Sequence, residues 1–153
     1  MPFTIRFRDE PNTYTDDDST WAIGRIVAGE LDEEFHADLH DWSTQEYEAQ
    51  WLQALEGLLL GEQRAVLITR YVNQEESDNL EWWALYRDDD TVHVQNHLPF
   101  YAPFGRKFSA AEASTFLHDR VMVDPEGNKV SEWAVPVRDI ELFVAEIKQR
   151  RSD

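Results

Sequence analysis

The side chains best suited by type for chemistry are the histidines of EEFHADLHDW, residues 33 to 42, where His36 and His40 stand four residues apart among carboxylates. On a helix that spacing turns both imidazoles to one face, as in zinc proteases built on HExxH, where the first Glu serves as general base. Here the stretch reads HADLH, and Ala37 occupies that position. The segment also fits a different periodicity. Phe35, Ala37 and Leu39 alternate with His36, Asp38 and His40, as in a strand with one wet face. The favoured reading is a solvated acidic edge, with a metal site as the minor one. His93 and His97 frame Gln95 in the same alternating manner. Met in space by His36 or His40 and oriented by Asp38 or Asp41, they would make a general acid/base site and a small metal- or His-dependent hydrolase. The favoured expectation is that they are exposed or bonded within a sheet, and His118 stands alone.

Other chemistries find less footing. The chain has no Cys, so thiolate nucleophiles, disulfides and Cys-based zinc sites are excluded. No GxSxG elbow, P-loop or GxGxxG occurs, and GRIVAG lacks the lysine of a phosphate loop. Glu33 with Glu34 is a carboxylate pair of the kind glycosidases use, but among 31 acidic residues close pairs arise by chance. Trp82 and Trp83, adjacent on a strand, would face opposite ways, and a Trp-lined ligand slot is a secondary possibility. No cofactor is expected.

Charge speaks more clearly. Fourteen Lys and Arg against 31 Asp and Glu give a formal net charge of −17, and only three of the cations are Lys. Such a surface repels nucleic acid and anionic lipid and attracts basic partners. Solubility or life at high salt is the competing explanation. Three acidic groups are the candidate contact surfaces: Asp16, Asp17 and Asp18; Glu33 and Glu34; and Asp88, Asp89 and Asp90. The start MPFTIRFRDE has no apolar leader, and no run approaches the ~18 apolar residues of a membrane span. A soluble, cytoplasmic protein is expected.

These residues need elements to hold them. At 153 residues, with six Trp, eight Phe and five Tyr, the chain supports one domain, 1–153, with a substantial core. Phe3, Ile5 and Phe7 alternate with polar residues as a half-buried strand does. DEPNTYTDDDST reads as an exposed loop in which Pro11 and the polar run exclude a strand. WAIGRIVAG is a second strand, where Gly24 allows a bend or close packing. Ser43 and Glu46 form a capping box opening a helix over about 43–60, with Tyr47, Trp51, Leu55 and Leu58 on one face and Gly61 as its stop. AVLIT is a continuous apolar run, as in a central strand covered on both faces. LEWWALY and TVHVQNHL flank RDDD as a hairpin. Ser109 and Glu112 form a second capping box, for a short helix through Leu117. VMV and KVSEW flank the turn DPEGN. RDIELFVAEIKQRR is a helix over about 138–150. The expected fold is α+β, with a mostly antiparallel sheet and two principal helices packed on it.

One further pattern runs through the chain. WS…Y…QW (Trp42, Ser43, Tyr47, Gln50, Trp51), WALYR…V…QNHL (Trp83 to Arg87, Val92, Gln95 to Leu98) and SEW (Ser131 to Trp133) occur in that order. From about Trp21 to the final helix, this succession resembles the immunity proteins of bacterial contact-dependent growth-inhibition systems. The first twenty residues fit the pattern least. The resemblance implies a cytoplasmic inhibitor, without catalysis, that binds the C-terminal toxin domain of a large secreted protein, often a nuclease. It carries no contact residue over to this chain. Trp42, Trp51, Trp83 and Trp133 are expected to be framework.

Overall fold

The computed structural model describes residues 2–152. Two four-stranded antiparallel sheets, rather than one, are joined by a helix. In the first, β3 (Ser19–Ala28) is the spine. β4 (Leu31–Asp38) pairs along one edge, from Trp21↔Asp38 to Ala28↔Leu31. β1 (Phe3–Phe7) and β2 (Thr13–Asp16) lie end to end along the other. Gly24 sits directly opposite Phe35, and a methyl group there would lie 2.3 Å from the Phe35 ring, so close packing explains this glycine.

β2 corrects the sequence expectation of a loop. All four of its residues are exposed, so it has no apolar alternation to betray it. The turn makes the strand: Asp17 and Asp18, at φ 48° and 66°, supply the left-handed pair that a two-residue hairpin needs.

Helix α1 (Thr44–Leu59) follows, with the reciprocal capping box of Ser43 and Glu46 in place. Its buried stripe is Tyr47, Trp51, Leu55 and Leu58. The second sheet runs β5 (Arg64–Arg70), β6 (Glu81–Asp88), β7 (Thr91–His97) and β8 (Trp133–Pro136), in that spatial order. β5 is therefore an outer strand by pairing, although Ala65 to Thr69 are all buried. α1 covers it and also satisfies its unpaired edge. Gln50 Nε2 donates to the Val66 carbonyl (2.7 Å), the Ile68 amide donates to Gln50 Oε1 (2.9 Å), and Trp51 Nε1 donates to the Ile68 carbonyl (2.7 Å). Tyr47 joins the sheets, its hydroxyl donating to the Asp38 carbonyl (2.6 Å) and accepting from the Tyr71 amide (2.9 Å).

Helix α2 (Val137–Ser152) buries Val137, Ile140, Phe143 and Val144. One apolar core runs through both sheets and both helices. Trp51 and Trp83 lie within it, Trp42 stacks on Tyr71 at 4.5 Å, and Trp133 meets Trp83 edge-on. The four tryptophans are framework.

The stretch after β7 departs from expectation. Ala110–Phe116 is a kinked 3₁₀ segment, and Ser109 makes no side-chain cap. Glu112, at φ −117°, breaks the helical path. Phe104, Phe108 and Phe116 cluster there instead, with Arg106 over the Phe116 ring. Residues 118–132 then cross to β8 with no strand or helix of their own.

Candidate functional site

The histidines of EEFHADLHDW do not form one site. His36 is an exposed residue of β4, held between the Tyr14 hydroxyl (2.7 Å) and Glu34 (3.1 Å). His40 lies beyond the strand, in the following turn, 2.7 Å from Glu76. Among the described residues His40, Asp41 and Glu76 bring ligand-type atoms within 4.8 Å of one another. Their oxygens are already engaged. Asp41 accepts from the Asn73 amide (2.8 Å) and Nδ2, and Glu76 accepts from the same Nδ2 (3.0 Å). The group is a clasp fastening the loop after β5 to the turn before α1.

His97 is bonded within the second sheet, as expected, whereas His93 turns to Arg120 and Glu132 (both 3.4 Å) on the connection that precedes β8. Gln95, buried between them, donates from Nε2 to the Val121 carbonyl (3.0 Å) and Glu132 (2.8 Å). Its Oε1 faces His97 Nε2 at 2.9 Å, and Trp82 Nε1 lies 3.4 Å from His97 Nδ1. A neutral imidazole protonated on Nε2 satisfies both contacts. Burial, assisted by repulsion from the stacked His118 ring, pushes the His97 pKa down to about 4. Arg120 grips Glu132 through two nitrogens, at 2.8 and 2.5 Å, and this bonding lowers the Glu132 pKa. Each polar atom in this network holds another in place. Tyr86 completes it, donating to the His118 carbonyl at 3.0 Å.

The Trp pair gives no open slot between its members, since Trp82 and Trp83 are both buried. Trp82 instead lies at the back of a pocket of about 350 Å³, lined also by His97, Leu98, Phe104, Phe116 and His118.

The acidic candidates fall at particular places in the fold. Asp16 to Asp18 form the tip of the β2–β3 hairpin, and Asp88 to Asp90 form that of β6–β7. All six are exposed. Glu33 and Glu34 lie on β4, whose outer edge has no strand partner among the described residues. As neighbours on a strand they project to opposite sides, so they make no carboxylate pair for catalysis. Their charge blunts the edge against pairing with another chain.

These groups are not one patch. The β3–β4 turn touches β8, where a methyl at Gly29 would lie 2.6 Å from the Ala134 carbonyl oxygen. The β6–β7 tip also abuts β8 and α2, through Thr91↔Pro136 and a 2.8 Å bond from the Val137 amide to the Asp90 carbonyl. Asp16 to Asp18 lie at the far end of β3, about 30 Å away at ~3.3 Å per residue. Sequence reasoning did not single out Arg120, Glu132 or the exposed run Val121–Val123 as site residues, reading VMV as one flank of the DPEGN turn and Glu132 as part of SEW. The only local sign was an apolar triplet in a polar stretch.

Three comparisons bear on this arrangement. The family model described as the CdiI N-terminal domain matches residues 37–143, from the end of β4 into α2. A protein of Enterobacter cloacae subsp. cloacae named immunity protein CdiI is 31% identical over 116 residues, covering 75% of this chain and 79% of that protein. A solved CdiA-CT/CdiI toxin and immunity complex from Enterobacter cloacae contains a chain that matches with a TM-score of 0.85 and 25% identity, over 96% of this chain and 99% of that one. The capping box, the Tyr47–Gln50–Trp51 staple and the Gln95 network all fall inside the matched span, which covers most of the chain: it belongs to the CdiI family of contact-dependent growth-inhibition immunity proteins, inhibitors rather than enzymes.

Proposed function

We propose that the chain neutralises a cognate toxin C-terminal domain by binding it one to one in the cytoplasm, as a single unit over residues 1–153. The toxin domain is basic and a nuclease. A cleft built to grip phosphates is positively charged, and a folded acidic surface occupies it without being cleaved. One observation carries this reading: a chain of net charge −17 presents its acidic hairpin tips and strand edge outward, on a fold shared with a protein solved in complex with CdiA-CT. The same charge disfavours nucleic acid and anionic membranes as partners. Among the described residues no helix is long and apolar enough to cross a membrane. No cofactor enters the proposal.

The test is co-expression with the C-terminal toxin domain encoded beside it, followed by affinity purification and a growth assay. A stoichiometric complex and rescued growth are expected. Two folded proteins that neither associate nor restore growth would overturn the pairing. The His36→Ala/His40→Ala variant should protect as well as the wild type, because those side chains act as surface clasps.

A further inference from the structure

We infer that the centre of the toxin contact is an apolar arm, Val121 to Val123, together with Leu98 and Phe100, and that the nearby carboxylates form its rim. This rests on the immunity reading above and names the surface that performs it.

Residues 118–132 form a long connection without regular structure, of the kind that in a compact fold is functional or disordered. This one is held at many points. The Val121 carbonyl accepts from Gln95, Arg120 is clamped to Glu132, and the Val130 amide donates to the Met122 carbonyl (2.9 Å). The Asp124 carboxylate accepts from the amides of Glu126 (3.0 Å) and Asn128 (2.8 Å), and Gly127, at φ 87°, closes the turn. Val123 bridges to Lys129. The result is a short hairpin-like arm braced against β7.

That bracing leaves its apolar side chains outside. Val121, Met122 and Val123 are 40%, 60% and 54% exposed, and Leu98 and Phe100 are 50% and 52% exposed. These five make up most of the eight large hydrophobics exposed among the described residues, so the exposure is concentrated rather than scattered. The two segments meet where His97, next to Leu98, stacks on His118 at 4.8 Å and where Gln95 holds the Val121 carbonyl. The 350 Å³ pocket behind that stack, with Leu98, Phe104 and Phe116 in its wall, is of a size to receive a partner side chain. A concentration of exposed large apolar side chains in two adjoining segments marks an interaction site. An apolar centre with a polar rim is the anatomy of a stable interface.

The rim selects the occupant. Asp119, paired with Arg64, and Glu126 are exposed and Asp124 is half-buried on the same connection, against one exposed cation, Lys129, and Asp88 is close enough to add to the raised pKa of Arg120. A basic domain meets this fringe favourably. A second copy of the chain would bring its own net charge of −17 against it. Because the arm is held rigid before contact, little conformational freedom is lost on docking.

The test is the dissociation rate of the cognate toxin domain from the wild type and from a Val121→Ser/Met122→Ser/Val123→Ser variant, with Leu60→Ser/Leu142→Ser, exposed apolar residues outside the patch, as the control. The arm variant should dissociate at least about 30-fold faster, with an unchanged urea midpoint and an unaffected control. Hydrogen exchange on the wild-type complex supplies a readout free of mutation, in which amides of 121–130 should slow when toxin is added. A complex with wild-type dissociation in the arm variant, or with unchanged exchange over 121–130, would overturn the surface while leaving the immunity reading standing. A wild type that never binds toxin would overturn that reading, and this inference with it. A free wild type that sediments as a dimer, with only the arm variant monomeric, would assign the patch to self-association instead.

Discussion

Strand β5 is the outer strand of its sheet, so the Val66 carbonyl and the Ile68 amide have no ladder partner on that side. Gln50 meets both with one side-chain amide, reproducing the pair of bonds a neighbouring strand would offer. A buried backbone group left unpaired costs about 1–3 kcal/mol, so Gln50→Ala should lower unfolding free energy by roughly 2 kcal/mol or more in urea titration. A loss within about 0.5 kcal/mol of zero, the range of an ordinary surface change, would show that water replaces the amide at no expense. His97 gives a second test at this scale. Burial holds its folded pKa at about 4, below the ordinary imidazole value of about 6.5. The unfolded chain therefore takes up this proton first, and the contribution of the neutral imidazole, complete above about pH 6.5, is lost as pH falls towards 4. Urea midpoints measured between pH 7 and pH 4.5 should decline in the wild type and decline less in His97→Gln. Parallel profiles would mean that other groups govern that window. Glu132, held below the ordinary carboxylate range by Arg120, acts lower still, below about pH 4.5.

The elements divide by how local their causes are. α1 was legible because its capping box, apolar stripe and terminal glycine all lie within the segment itself. Ser43→Ala should cost about 1 kcal/mol, readable as a lowered midpoint, since it leaves the Glu46 amide without its acceptor. The β6–β7 hairpin and α2 were legible for the same reason, as were the buried faces of β1, β3 and β4. β2 was not, because a wholly exposed strand carries no apolar alternation and its pairing comes from two aspartates in left-handed geometry. The position of β5 at an edge was not legible either. Its continuous apolar run reports burial on two faces, and nothing in the run says that a helix side chain replaces the missing neighbour. Ser109 and Glu112 misled: the spacing of a capping box was present, but a kink at Glu112 and the cluster of Phe104, Phe108 and Phe116 set that segment's path. Around the candidate site, the exposure of the three acidic groups and the in-sheet bonding of His97 were visible. The turn of the arm was visible too, in DPEGN flanked by VMV and KVSEW, but its bracing was not, since that depends on Gln95 reaching it from another element.

Across the whole molecule, the acidic groups differ in what they can do because they lie at different ends. A charge steers a partner over distances comparable with the Debye length, about 8 Å at physiological salt, so a group several such lengths from the contact contributes little. If the toxin docks beside the 118–132 connection, the Asp88 to Asp90 tip is the acidic group tied to its approach, since Asp88 acts on Arg120, whereas Asp16 to Asp18 belong to a hairpin of the other sheet. Neutralising each triplet to Asn makes a matched comparison. Each variant loses three charges, and Asn tolerates the left-handed backbone at Asp17, Asp18 and Asp89, so both hairpin turns survive. Stopped-flow association with the toxin domain across a salt series should show the Asp88/Asp89/Asp90 variant slowed by roughly 3–10-fold at low salt, with a shallower salt dependence. The Asp16/Asp17/Asp18 variant should stay within about 2-fold of wild type. Dissociation should change little in either, because rim charges act on encounter whereas the apolar centre holds the complex together. The reverse ranking would place the contact at the β2–β3 end and dismiss the arm. Equal, small effects from both triplets would mean that the net charge serves solubility and that recognition is carried by shape and apolar contact alone.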